Sequence, residues 1–99
     1  MNFDKLEEEL TYTDEVLLYL KSKLDEGALH CFKLVADAND TPYGLLRTKL
    51  PDFKENRRKY DLGFTILEAQ GFVQTRPIGN MRPYFLTVRG KQLKVLLGY

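Results

Sequence analysis

Apolar residues recur at helical spacing over most of this chain and give way to strand-like runs only between Phe72 and Val88. Phe3, Leu6 and Leu10 share one side of an amphipathic lead-in, with Glu7 to Glu9 opposite. Thr13 reads as an N-cap, and Asp14 and Glu15 behind it sit where a helix dipole favours negative charge. Val16, Leu17, Leu20 and Leu24 then line one face of a helix over residues 14–24, while Leu18 and Tyr19 fall off that face. A helix greasy on more than one side in a chain this small predicts a second packing partner, so Val16, Leu17, Leu18 and Tyr19 are the first candidates for a homodimer interface. Gly27 is expected to end this helix. Over residues 28–38 only His30, Lys33 and Asp37 are left for solvent, the narrow wet strip of a central helix.

Thr41 and Pro42 together read as an N-cap followed by a proline at the first helical position. They predict a short helix over residues 42–50 with Leu45, Leu46 and Leu50 inward and Tyr43, Arg47 and Lys49 outward, stopped by Pro51. A longer helix is expected over residues 53–70. Turning it about 100° per residue puts Asn56, Lys59, Tyr60, Gly63, Phe64, Ile66, Leu67 and Gln70 on the seated side and Lys54, Arg57, Arg58, Asp61, Thr65 and Glu68 on the free one. Asp61 follows Arg57 and Arg58 by one helical turn and can orient either. Gly71 reads as the left-handed cap, and Phe72 to Arg76 as a strand. Residues 77–80 read as a turn and Tyr84 to Val88 as the returning strand, which brings Arg76, Asn80, Met81 and Arg82 to the tip of a hairpin stiffened by Pro77 and Pro83. Thr87 can cap a last helix over residues 88–97 with Leu93, Leu96 and Leu97 on one side.

These elements make a mainly α chain with a β-hairpin, an α+β class, as a single domain over residues 1–99 with 1–26 as a helical extension. Charge changes the picture. The net is only +1, yet residues 1–40 hold four Lys against ten Asp or Glu, a net of −6, and residues 41–99 hold eleven Lys or Arg against four acids, a net of +7. One reading is that the halves attract each other inside one fold. The other is that the second half presents a basic face, since a partner responds to the local field rather than to the sum. A helix with basic residues on its first turns, followed by an arginine-bearing ribbon, is suited to the grooves and phosphates of double-stranded DNA. Lys54, Arg57, Arg58, Asp61 and Thr65 on the long helix, Tyr43 and Arg47 before it, and Arg76, Asn80 and Arg82 on the hairpin are the candidate DNA-binding residues.

The remaining chemistry is sparse. Cys31 alone makes neither a disulfide framework nor a CxxC site, and adjacent His30 and Cys31 point about 100° apart on a helix, so no metal or other cofactor is expected. No nucleophile sits near a base and no carboxylate pair is set for acid–base work, so an enzyme is not expected. No apolar run approaches the roughly 18 residues of a membrane span, no basic-then-apolar leader is visible, and a cytoplasmic protein is the expectation.

Two stretches carry a family likeness. Leu67-Glu68-Ala69-Gln70-Gly71-Phe72-Val73 resembles a Leu-x-x-x-Gly-Leu/Phe-Val exit from a recognition helix, and Tyr84-Phe85-Leu86-Thr87-Val88-Arg89-Gly90-Lys91-Gln92-Leu93 is similar to the Tyr-x-Leu-Thr-x-x-Gly-x-x-Leu ending of the wing in MarR-like and PadR-like regulators. Over residues 28–97 the chain thus resembles the winged helix-turn-helix family of small prokaryotic and phage transcriptional regulators. The resemblance implies a sequence-specific DNA-binding regulator, with the recognition role on residues 54–65 in the major groove and the wing role on residues 76–82 at the minor groove or phosphates. The alternative is a winged-helix module that docks on another protein without binding DNA, motivated by the acidic, leucine-bearing first 26 residues.

Overall fold

A computed structural model describes residues 9–99, so the expected lead-in over Phe3 and Leu6 lies outside the described residues. Four α-helices lie wholly within them, α1 (Asp14–Ser22), α2 (Glu26–Ala38), α3 (Arg57–Ala69) and α4 (Val88–Leu97), together with a two-stranded antiparallel hairpin of β1 (Val73–Thr75) and β2 (Tyr84–Leu86) between α3 and α4. The architecture is mixed α+β.

Local chemistry sets most of the boundaries. The Thr13 hydroxyl accepts from the Val16 amide to open α1. Asp25 opens α2 by accepting from the Ala28 amide at 2.8 Å, which corrects the expected role of Gly27: α1 stops at Ser22, and Gly27 lies inside the first turn of α2. At the end of α3 the amides of Gly71 and Phe72 bond back to the carbonyls of Glu68 and Leu67, both at 3.0 Å, which closes the helix in a Schellman motif and turns the chain straight into β1. The Thr87 hydroxyl accepts from the Gly90 amide at 3.0 Å and opens α4.

The expected helix over residues 42–50 is not formed. Thr41 does not cap a new helix; its hydroxyl donates to the Ala38 carbonyl at 2.8 Å and closes the old one. Gly44 has φ +64°, and a Cβ there would lie 2.7 Å from the Tyr84 carbonyl oxygen. That left-handed kink and close approach let Leu45 exchange two backbone hydrogen bonds with Tyr84, at 3.0 and 2.8 Å, as a third backbone rung beside β2. A single 3-10 turn, Arg47–Lys49, is all the helical structure this segment keeps.

The long helix also starts later than its periodicity suggests. Residues 51–56 are turns, and α3 begins at Arg57. Asp52 organises the approach, accepting from the Asn56 side-chain amide at 3.2 Å and from the Tyr60 hydroxyl at 2.6 Å.

The core lies where α2 and α3 run against each other and against the hairpin. Phe32, Val35, Phe64, Leu67, Phe72 and Leu93 are fully buried in it. The Phe64 and Tyr84 rings stack with centroids 4.5 Å apart, seating α3 on β2. Between the helices the backbones approach so closely at Gly63 that a Cβ there would sit 2.6 Å from the Cys31 Sγ. Leu17 is part of this core, which corrects its assignment to a dimer surface; Val16, Leu18 and Tyr19 on the same helix are exposed.

One polar anchor is buried with the apolar core. Arg89, 2% exposed, donates from Nε to the Gly71 carbonyl and from Nη1 to the Leu10 carbonyl, each at 2.8 Å. Tyr12 beside it donates its hydroxyl to the Gln70 carbonyl at 2.7 Å and exchanges two 2.9 Å hydrogen bonds with the Gln92 side chain. The segment before α1 is thereby held against α4 and the exit of α3.

Candidate nucleic-acid interface

Burial of Tyr60, Gly63, Phe64 and Leu67 fixes which side of α3 faces out. At about 100° per residue the centre of the opposite arc falls on Arg58, Leu62, Thr65 and Ala69, with Arg57 and Asp61 at one margin and Lys59 at the other. All of these are exposed except Asp61, which is half-buried. Lys59 is thus outside, not seated as its place in the broad apolar arc had suggested. Lys54 is exposed but precedes the helix, in the turn over residues 51–56, so it is not on the helical face predicted for it.

Asp61 gathers two of the candidate cations. Arg47 Nη1 lies 2.9 Å from Asp61 Oδ1, an ionic contact without hydrogen-bond direction, and Arg57 Nε lies 3.8 Å from Oδ2. Arg47 rather than Arg58 is the arginine that Asp61 holds most closely. Among the described residues Arg58 has no ion-pair partner.

The hairpin turn is a two-residue loop in which Ile78 and Met81 exchange backbone hydrogen bonds of 2.9 and 3.0 Å around Gly79 and Asn80. A groove of about 520 Å³ runs between this turn and the 3-10 turn, and Arg47, Thr48, Lys49, Asn80 and Arg82 line it. Arg76 does not join them. Its guanidinium lies 5.0 Å over the Phe85 ring, and it lines a separate groove of about 430 Å³ with Asn39, Thr41 and Lys91, so the two hairpin arginines serve different grooves. Tyr43 is exposed and lines neither groove.

The basic groove and the outer arc of α3 meet at the Arg47–Asp61 contact, because Arg47 lines the groove and pairs with Asp61 at the margin of the arc. Lys49, which the sequence places only on the outward side of the expected short helix, and Thr48 and Leu62 are not among the ten candidate residues. Lys49 and Thr48 become neighbours of the hairpin only because Leu45 pairs with Tyr84, a contact that no local pattern announces. Leu62 was readable from helical phase alone, since it lies four residues after Arg58.

A third cleft, of about 280 Å³, lies between the start of α2 and the approach to α3, bordered by His30, Cys31, Asp52, Lys59 and Tyr60. Burial, and after it the Asp25 carboxylate, pushes the Cys31 thiol up to about 11, so it is a poor nucleophile and ligand at neutral pH. Its hydrogen bond to Asp52, with burial second, pushes Tyr60 up to about 12. Among the described residues no group of three or more His, Cys, Asp or Glu is placed to hold a metal ion, and no helix is long and apolar enough to cross a membrane.

Compared with family models, with curated proteins and with solved structures, the chain matches none.

Proposed function

We propose that this chain is a winged helix-turn-helix protein that binds double-stranded DNA and acts as a small, non-enzymatic transcriptional regulator in the cytoplasm. In this reading α3 is the recognition helix, the segment from Leu45 to Asn56 is the helix-turn-helix lead-in shortened to a 3-10 turn, and the hairpin is the wing. The observation that carries it is the meeting of the outer arc of α3 with a groove lined by Arg47, Lys49 and Arg82. A helix face in the major groove and an adjoining cationic track on the phosphates are the two parts that a duplex reader needs.

The exposed apolar residues Val16, Leu18 and Tyr19 on α1 and Val95 and Leu96 on α4 support a homodimer through these two helices. Such a dimer reads two half-sites if its copies of α3 are spaced by about 34 Å, one turn of DNA. The same apolar residues, next to the acidic first third of the chain, favour the second reading, a winged-helix module that docks on another protein.

Fluorescence anisotropy of a labelled duplex, titrated with protein over a series of salt concentrations, separates the two. The DNA reading expects binding whose logarithm falls linearly with the logarithm of salt, and a slope that drops by about one when Lys49 or Arg82 is replaced by Ala. Absence of salt-sensitive binding, together with a protein partner still captured after Arg57, Arg58, Arg76 and Arg82 are neutralised, would establish the docking module instead.

A further inference from the structure

The outer arc of α3 carries one large apolar side chain among polar ones. Leu62 is 57% exposed, with Arg58 four residues before it and Thr65 three residues after it. It is the one exposed large apolar residue of α3, and on its inner side it borders a cleft of about 250 Å³ with the half-buried Ile66, Gly63 and Ala28. Arg58 and Leu62 are neighbours on the helix surface, separated by about 6 Å along its axis, close to two base steps of a duplex. Arg58 is the arginine of α3 that Asp61 does not engage, so its guanidinium is available to a base edge.

We propose that Leu62 is a specificity-determining residue that reads the C5 methyl of a thymine, beside a guanine read by Arg58. This rests on the DNA reading above. The chemistry of the major groove supports the assignment. Thymine offers the only apolar group among the four base edges there, and an aliphatic side chain can cover it only if it is aimed outward from a helix that lies in the groove. Guanine offers O6 and N7, the paired acceptors that a guanidinium fork matches. A leucine and a free arginine at this spacing therefore select a half-site with a guanine and a thymine about two base pairs apart.

Selection of bound duplexes from a random-sequence library by the full chain supplies the site, and replacing each of its thymines in turn by deoxyuridine removes one methyl group and nothing else. One deoxyuridine, about two steps from a guanine, is expected to weaken wild-type binding about fourfold, the size of one buried methyl. Leu62→Ala is expected to bind the thymine and deoxyuridine duplexes equally, with an unfolding midpoint close to that of the wild type because Leu62 is exposed. Arg58→Ala is expected to lose the preference at the guanine. A selected duplex indifferent to deoxyuridine at every position overturns the Leu62 assignment and leaves the DNA reading standing. So does methyl discrimination that survives Leu62→Ala, or that disappears only in Thr65→Ser, which would move the contact to Thr65. Recovery of no duplex at low salt overturns the DNA reading itself, and the assignment with it.

Discussion

Replacing Gly63 with Ala should show how tightly α3 is seated on α2. The new Cβ would lie 2.6 Å from Cys31 Sγ, 3.3 Å from Cys31 Cβ and 3.4 Å from the Gly27 carbonyl oxygen. Two effects oppose each other. Ala is favoured over Gly in a helix interior by about 1 kcal/mol, whereas overpacking a closed core costs about 1–3 kcal/mol. The clash is with a buried sulfur and so wins, and Gly63→Ala is expected to destabilise by about 1 kcal/mol. Cys31→Ala alone removes one fully buried heavy atom and should also cost about 1 kcal/mol, from transfer and the small cavity left behind. In the double variant the methyl group introduced in place of the Gly63 hydrogen moves into the space of the lost sulfur. The clash disappears, the helix preference is realised, and stability returns close to that of the wild type, a favourable coupling of about 2 kcal/mol. Urea unfolding of the four proteins, with unchanged m values, measures this cycle. Additivity to within about 0.5 kcal/mol would show that the two helices separate freely at this point and would refute the close approach.

Three further outcomes rest on other contacts. Arg89→Ala removes charge-assisted hydrogen bonds from a buried site, those to the Gly71 and Leu10 carbonyls among them, and should cost about 2–4 kcal/mol by urea unfolding; a loss under about 0.5 kcal/mol would mean that the guanidinium is not structural. Asp61→Asn releases Arg47 and Arg57 at a surface where each pair is worth under about 1 kcal/mol, so stability should hardly change, while under the proposed DNA-binding function duplex affinity at low salt rises a few-fold; weaker binding would place Asp61 among the base-contacting residues of that proposal. Alkaline pH should destabilise the fold. Its hydrogen bond to Asp52 pushes Tyr60 up to about 12, and burial, with Glu68 adding to it, pushes Tyr84 up to about 12, against about 10 in an unfolded chain. Between those values the folded state keeps protons that the unfolded state loses. This contribution is therefore complete below about pH 10 and is lost as pH rises toward 12, and Tyr60→Phe should flatten the fall in urea midpoints measured across that window.

What the sequence disclosed was what neighbouring residues decide. Thr13, Thr87 and Gly71 mark helix ends with side chains or dihedrals that act within four residues, and each holds that role in the fold. The segment over residues 42–50 misleads for the opposite reason. Its leucines are spaced for a helix, but Gly44 kinks the chain and Leu45 finds its partner in Tyr84, 39 residues away. Of the candidate site, the ten residues proposed from charge and helical phase are mostly exposed. Which of them share a surface depends on that one long-range rung, which brings Arg47 and Lys49 to the hairpin and leaves Arg76 in another groove. Arg89 offered no signal, because an arginine beside a helix start reads as solvated until the fold closes over it.

The clamp of Arg89, Tyr12 and Gln92 ties together positions some 80 residues apart in a chain of 99. Contacts of such sequence separation form only after most of the loop entropy has been spent, so the docking of the segment at Tyr12 on α4 belongs to the late steps of folding and to the early steps of opening. In hydrogen exchange the amide of Tyr12 should therefore report a smaller opening free energy than those of Phe64 and Leu67 in the core. Because Arg89 and the Tyr12 hydroxyl end on the carbonyls of Gly71 and Gln70, that partial opening also frees the exit of α3. Strain applied to the segment at Leu10 and Tyr12 then reaches the helix that presents Arg58 and Leu62 without first crossing the core.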